Sequence, residues 1–112
     1  MLMAAGALAG VVRWSAMAAD PPLAGLVMLQ ALHGLTYGAT HIGAVHYITA
    51  SVPPALAGTA QALYASVTAG IAMGLATLLA GQLYEASGGL AYLAMAGLSL
   101  AGLAASLVLL RK

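Results

Sequence analysis

The amino-acid sequence predicts an all-α integral membrane protein with four transmembrane helices. Of its 112 residues, 63% are hydrophobic and 4% are charged, whereas soluble domains carry about a quarter charged residues. The apolar stretches also reach the roughly 20 residues that one membrane-spanning helix needs. Prolines and glycines divide these stretches within a single membrane domain, residues 1–112.

The first two helices are predicted at about residues 1–19 and 22–51. The first segment has no basic region before its apolar part, so we interpret it as a spanning helix rather than a signal peptide. It ends at Asp20-Pro21-Pro22, where Asp20 is a candidate N-cap for the second helix because a short acidic side chain can accept from free backbone N–H groups. The second helix is long enough to span with tilt.

The last two helices are predicted at about residues 56–86 and 90–110. Pro53-Pro54 ends the preceding helix and Ser87-Gly88-Gly89 separates these two. Arg111 and Lys112 follow the last helix, and clustered basic residues favour the cytoplasmic side. The sequence therefore predicts a cytoplasmic C-terminus in the inner (cytoplasmic) membrane of the cell.

Polar side chains are concentrated on one face of the second helix, which is unusual for a lipid-facing segment. At 100° per residue one face carries Gln30, His33, Tyr37, Thr40 and His41, with Thr36 at its edge. Several unpaired polar groups facing lipid would be costly, and intramembrane ionisable residues commonly mark transport pathways. We interpret this stripe as the lining of a cavity; interhelical hydrogen bonding is the alternative.

Arg13 is the one charge deep within a predicted helix. Its guanidinium cannot readily lose its proton. One interpretation is that the side chain extends toward the outer interface, where Asp20 lies about 10 Å further along a helix. The other is a fixed cation beside the cavity that binds substrate oxygens or keeps a histidine neutral.

The third helix carries two further patterns. Gln61, Tyr64 and Thr68 share a second polar face, while three glycines lie on a different face: Gly70, Gly74 and Gly81. Gly70-Ile-Ala-Met-Gly74 is a GxxxG pattern, which lets a second helix backbone approach closely. We interpret these glycines as a helix-packing surface.

Several classes of function have no support in the composition. The sequence contains no cysteine and has a formal charge of +1, so neither thiolate chemistry nor nucleic-acid binding is indicated. His33 and His41 share a face but lie about 11–12 Å apart along it, too far to bind one metal ion together. No nucleophile–base pair or haem ligand pair can be assembled, so we expect neither a cofactor nor an enzyme.

The chain resembles helices nine to twelve of a major facilitator superfamily transporter, and more narrowly the lactose permease/phenylpropionate permease branch of proton symporters. The resemblance rests on Arg13 twenty residues before His33 and on three runs: LQALHGLTYGATHIGAVHYITAS, GTAQALY and LAGQLYEASG. It implies that Arg13 and His33 match the arginine and histidine that serve proton coupling and sugar binding in the lactose permease.

The departures from that pattern bear on the mechanism. Gln30 stands where a lysine is expected, Thr36 where the proton-cycling carboxylate is expected, and His46 where a lysine precedes YIT. Either His33 or His41 titrates instead, or the carboxylate lies elsewhere, or the coupling differs. The run from Leu32 to His41 is nearer to the phenylpropionate-type relatives, which implies a small organic or aromatic acid, with a sugar as the alternative.

The resemblance further implies a chain that is part of a twelve-helix transporter, with protons and a small solute as its ligands and an N-terminal half as its missing partner. Two other interpretations remain. One is a small multidrug exporter that works as a dimer, although residues 1–19 lack the acidic residue that such exporters use. The other is a four-helix subunit that docks onto a larger complex through its GxxxG face.

Overall fold

The computed structural model describes residues 1–111, and within this range every regular element is helical. The elements are α1 (Leu2–Ala18), α2 (Leu23–Ser51), α3 (Pro54–Ala65), a π-helical segment (Ser66–Ala72), α4 (Met73–Ser87), a 3-10 turn (Gly88–Leu90) and α5 (Ala91–Leu110). The predicted all-α class is therefore observed. Lys112, on which the predicted orientation partly depends, lies outside the described residues.

Asp20 ends α1 and does not cap α2, so the predicted N-cap is wrong. Its backbone N–H donates to the Met17 carbonyl at 3.3 Å, and its φ of 50° is left-handed, a conformation that Asp tolerates better than most residues. The following Pro21 disfavours the α conformation at Asp20. Pro22 takes the N-cap position of α2, with no side-chain hydrogen bond.

The third helix begins at Pro54, two residues earlier than predicted, because proline fits the first helical position, where an N–H would have no intrahelical partner. Its middle part is π-helical. In and beside this part, the Ser66 hydroxyl donates to the Ala62 carbonyl at 2.9 Å and the Thr68 hydroxyl donates to the Tyr64 carbonyl at 2.8 Å. Such side-chain bonds compete with the backbone ladder.

The chain reverses at Gly88, which has a φ of 60°, a conformation that glycine adopts without steric cost. If the helical stretch Pro54–Leu110, 57 residues long, were straight, it would extend about 86 Å. The longest dimension of the molecule is 47 Å, so the stretch is folded back at this turn. By length and hydropathy, only the helical stretch Pro54–Leu110 is long and apolar enough to cross a membrane among residues 1–111; Leu2–Ala18 is a shorter apolar helix. The four-span count stays a prediction.

The helix α1 lies between α2 and α5 and packs closely against both. We call its packed residues Gly6, Ala9 and Gly10 the central seam. A Cβ atom at Gly6 would overlap the Thr40 hydroxyl and lie 3.0 Å from the Thr40 nitrogen, and one at Gly10 would lie 2.8 Å from Ser99 Oγ. Only glycine permits these distances.

Large apolar side chains point away from the helix contacts. Among the described residues no large side chain is fully buried, and the buried apolar residues are all alanines. Leu78 and Leu98 are 68% and 64% exposed. This distribution is typical of membrane helices, which associate through small residues and direct long apolar side chains to lipid.

The glycines predicted to form a packing surface have no neighbour within the described chain. A Cβ at Gly70, Gly74 or Gly81 would meet nothing within 4 Å. The residues that do pack closely, Gly6 and Gly10, form a GxxxG pattern in α1 that the sequence interpretation did not single out. A packing role for Gly70, Gly74 and Gly81 stays a prediction, because the helix that would pack against them is not among residues 1–111.

Candidate functional site

A cavity of about 250 Å³ lies where α1, α2 and α3 meet. It is lined by Arg13, Trp14, His33, Thr36, Tyr37, Thr40, His41 and Tyr64. We call it the Arg13 cavity. It brings together five of the six residues predicted to line a substrate and proton pathway; the role itself stays a prediction.

Arg13 is buried, with 8% of its surface exposed. Its guanidinium carbon lies 4.1 Å from the centroid of the Trp14 ring, a cation–π contact. Its Nε is buried without a hydrogen-bond partner in the described residues. The side chain is therefore buried among the helices of the described chain and makes no ion pair with Asp20 there; its role beside the cavity stays a prediction.

Trp14 is itself held by aromatic neighbours on α4 and α5. Its ring stacks on Tyr92 with 5.8 Å between centroids and 18° between planes, and Tyr84 meets Tyr92 edge to face at 6.1 Å. These contacts fix the surface on which the guanidinium rests. The sequence interpretation missed Trp14, although an aromatic residue directly after the one intramembrane arginine was an available signal.

The α2 wall of the cavity is built by the polar stripe. The rings of Tyr37 and His41, one turn apart, stack with 5.7 Å between centroids and 4° between planes. Thr36 donates its hydroxyl to the Leu32 carbonyl at 2.9 Å, so its own oxygen still has lone pairs for a ligand. Both histidines of this face, His33 and His41, are exposed in the described chain.

The second polar face, on α3, is divided between two places. Tyr64 belongs to the Arg13 cavity, because its ring lies 5.9 Å from that of His41. Gln61 donates from Nε2 to Thr49 Oγ1 on α2 at 3.1 Å and so joins the two helices near their connecting turn. Thr68 lies further along the π-helical segment and is exposed.

Two other polar residues of α2 lie away from the cavity. Gln30, predicted to line the pathway, is exposed and does not line the cavity. His46 lies in a separate groove of about 450 Å³ formed by the start of α1 and the ends of α2 and α5. That groove contains one histidine and no buried charged side chain among its described lining residues, so we do not place the site there.

The Arg13 cavity combines one fixed positive charge with groups that can accept or release protons. Histidine is a side chain that commonly accepts and releases protons in proteins, and His33 and His41 line the cavity beside the permanently charged guanidinium. No acidic residue lines the cavity, and residues 1–111 contain no cluster of metal ligands. The arrangement can therefore bind an anion or a polar solute and exchange protons beside it.

Comparison with known proteins identifies the family. The sequence profile of the MFS_1 like family matches residues 1–94, and the chain therefore belongs to this family, in agreement with the predicted major facilitator superfamily resemblance. A probable 3-phenylpropionic acid transporter of Escherichia coli (strain K12) is 37% identical over 79 residues, which are 70% of this chain and 21% of that protein.

A maltose permease of Geobacillus stearothermophilus is 36% identical over 84 residues, 75% of this chain and 21% of that protein. The chain thus spans about a fifth of the length of the curated relatives that it matches. No solved structure matches it.

Proposed function

We propose that this chain forms part of a proton-coupled secondary transporter that moves a small organic solute across the cytoplasmic membrane by alternating access. The Arg13 cavity carries the proposal: it places a buried permanent charge and two histidines in one pocket of a largely apolar helical chain. Ionisable residues inside membrane helices are costly and usually serve a pathway.

In this proposal each side chain of the cavity has a role. Arg13 fixes the charge of the site, His33 and His41 are the candidate proton carriers, and Thr36 and Tyr37 offer hydrogen bonds to the solute. Gln30 lies nearer the start of α2 and would contact the solute on its way in or out. The chain crosses the membrane four times, with its C-terminus in the cytoplasm.

Transport by alternating access requires a second helical repeat that encloses the solute at the middle of the membrane. We therefore expect the four helices to act with an N-terminal half. An immunoblot of native membranes against the C-terminal residues tests this: a band near the roughly 400 residues of a two-repeat transporter supports it. A band near 11.0 kDa, the mass of this chain, would instead require a partner or a dimer.

The solute is a small organic acid, with a sugar as the second candidate, because the two named relatives are a transporter of 3-phenylpropionic acid and a permease of maltose. Uptake of labelled 3-phenylpropionate and maltose into membrane vesicles, with and without an inward proton gradient, distinguishes them. We expect uptake of the acid that a protonophore abolishes.

The site assignment is tested by Arg13→Ala and His33→Ala in the same uptake assay. Each removes a cavity group, and we expect each to reduce uptake by at least about tenfold, the factor that corresponds to roughly 1.4 kcal/mol. His46→Ala is the matched control, because His46 is a histidine of the same helix in a different groove. Unchanged uptake in both cavity variants would refute the assignment.

A second candidate function, a membrane subunit that docks onto a larger complex, is favoured by the open glycine face of Gly70 and Gly74. It predicts that the polar stripe is covered by partner helices. Since the sequence contains no cysteine, single cysteines at positions 33, 37 and 41 can be labelled with a water-soluble thiol reagent in intact membranes.

Labelling at these positions indicates a water-filled cavity, and protection indicates a covered interface. Leu35→Cys is the matched control: Leu35 is 53% exposed in the described chain and lies about 200° around α2 from both His33 and Tyr37. In a bilayer it faces lipid and should resist the reagent under either hypothesis.

A further inference from the structure

We infer that the Arg13 cavity binds a carboxylate, which pairs with the guanidinium of Arg13 while Trp14 holds that guanidinium in place. The inference rests on the proposed transport function and narrows its solute to a carboxylic acid. It starts from the charge balance of the chain. The sequence contains two acidic residues, Asp20 and Glu85, and both are exposed, at the ends of α1 and α4.

Neither acid neutralises the buried arginine. No ion pair or hydrogen bond of Arg13 occurs within residues 1–111, and its Nε is among the buried nitrogen and oxygen atoms left without a partner. A charge in a medium of low dielectric constant is strongly destabilising unless it is paired. Cation–π contact with Trp14 at 4.1 Å offsets only part of this cost.

The geometry of that contact determines which part of the guanidinium is available. The guanidinium carbon lies over the Trp14 ring, and that ring stacks on Tyr92. Hydrogen bonds from a guanidinium leave through its edges, in the plane of the group. The contact with Trp14 holds the guanidinium in place, and its Nε–H, which has no hydrogen-bond partner within residues 1–111, remains available to a ligand.

A carboxylate fits these donors better than the other candidate solutes. Its two oxygens accept parallel hydrogen bonds from a guanidinium edge and bring a negative charge, which Arg13 does not find within residues 1–111. A sugar hydroxyl would accept a hydrogen bond but leave the charge unpaired, and a cationic solute would be repelled. The aromatic rings of Tyr37, His41 and Tyr64 provide a surface on which the rest of the acid can stack.

The position of Trp14 supplies the experiment, because it is the single tryptophan of the chain and lies directly against Arg13. The full chain in lipid nanodiscs is titrated with phenylacetate while the Trp14 emission is recorded. Phenylacetamide is the neutral compound of nearly the same shape. We expect a saturable change with phenylacetate and binding at least about tenfold weaker for the amide, since the charge-assisted pair is lost.

Two variants assign the effect to one arginine. Arg13→Gln should weaken phenylacetate binding to the level of the amide, and Arg13→Lys should restore it in part, because lysine keeps the charge but not the planar pair of donors. Arg111→Gln is the matched control, since Arg111 is the other arginine and is exposed. It should bind phenylacetate as the unmodified chain does.

Equal binding of acid and amide by the unmodified chain, or no response to either, would overturn the carboxylate site without reliance on any variant. The latter result is also expected if a carboxylate of another polypeptide segment already pairs with Arg13. The uptake assay separates failure of the carboxylate site from failure of the proposed function. Transport of maltose but not of 3-phenylpropionate would support the transport function and contradict the carboxylate site. Phenylacetate binding without any uptake would support the site and contradict transport.

Discussion

Two GxxxG patterns of this protein have the same spacing and opposite surroundings. Gly6-Ala-Leu-Ala-Gly10 lies in the central seam, where added Cβ atoms would collide with α2 and α5. Gly70-Ile-Ala-Met-Gly74 lies on what we call the outer helix, the continuous helical run from Pro54 to Ser87, where added Cβ atoms would meet nothing within 4 Å. The pattern gives a helix the capacity for close approach; whether that capacity is used depends on which neighbours the fold brings to it.

The seam and the outer helix also differ in what they do for the site. The seam holds α1 against α2, so that Arg13 and Trp14 of α1 face the polar stripe of α2. The outer helix contributes a single side chain, Tyr64, to the cavity. We therefore expect changes in the seam to disturb both folding and the site, and changes at the open glycines Gly70 and Gly74 to disturb neither.

The largest effect is expected for Gly6→Ala. The new methyl group would meet the Thr40 hydroxyl and the backbone of Thr36 and Thr40, and backbone atoms cannot rotate away. Overpacking of this kind costs about 1–3 kcal/mol, partly offset by a helix-propensity gain of about 0.5–1 kcal/mol. Titration with SDS of the detergent-solubilised chain, followed by Trp14 emission, measures the loss.

A smaller effect of opposite sign is expected for Gly70→Ala, the matched change in the second pattern. With no neighbour to displace, the alanine should stabilise the helix by about 0.5–1 kcal/mol. The same SDS titration applies. A loss of stability comparable to that of Gly6→Ala would mean that the outer glycines are already packed in the isolated chain, and the contrast between the two patterns would fail.

The smallest effect is expected where the outer helix does contact α2. Gln61→Leu removes the hydrogen bond from Gln61 to Thr49, and such bonds between membrane helices contribute about 0.6 kcal/mol on average. Thr49→Val should cost a similar amount. Because both changes delete the same bond, the double variant should lose about as much stability as either single variant, less than the sum of the two losses. Full additivity would indicate that the bond contributes nothing.

Much of the site could be predicted from periodicity alone. The spacing of His33, Tyr37 and His41 places them on one face of any α-helix, and the structure retains that face as the α2 wall. Arg13 was identified because an intramembrane charge is rare. Gln30 shares the same face but lies nearer the start of the helix and outside the cavity, since periodicity fixes the direction of a side chain and not the depth at which another helix covers it.

Other residues could not be placed in this way. Tyr64 was assigned to a separate polar face, but its ring approaches that of His41 because α3 folds back on α2 after Pro53-Pro54. Asp20 was expected to begin α2 and instead ends α1, since the conformation of the residue before two prolines is fixed by local sterics more strongly than by the preference of aspartate for helix starts.

By itself the sequence determined the helical class, the breaks at prolines and glycines and the direction of each polar face, because these depend on local sterics and on a fixed rotation of 100° per residue. The tertiary structure alone decided which small residues pack, that Arg13 is buried against Trp14, and that α1, α2 and α3 share one cavity. Those outcomes depend on contacts between residues distant in sequence, which local rules do not fix.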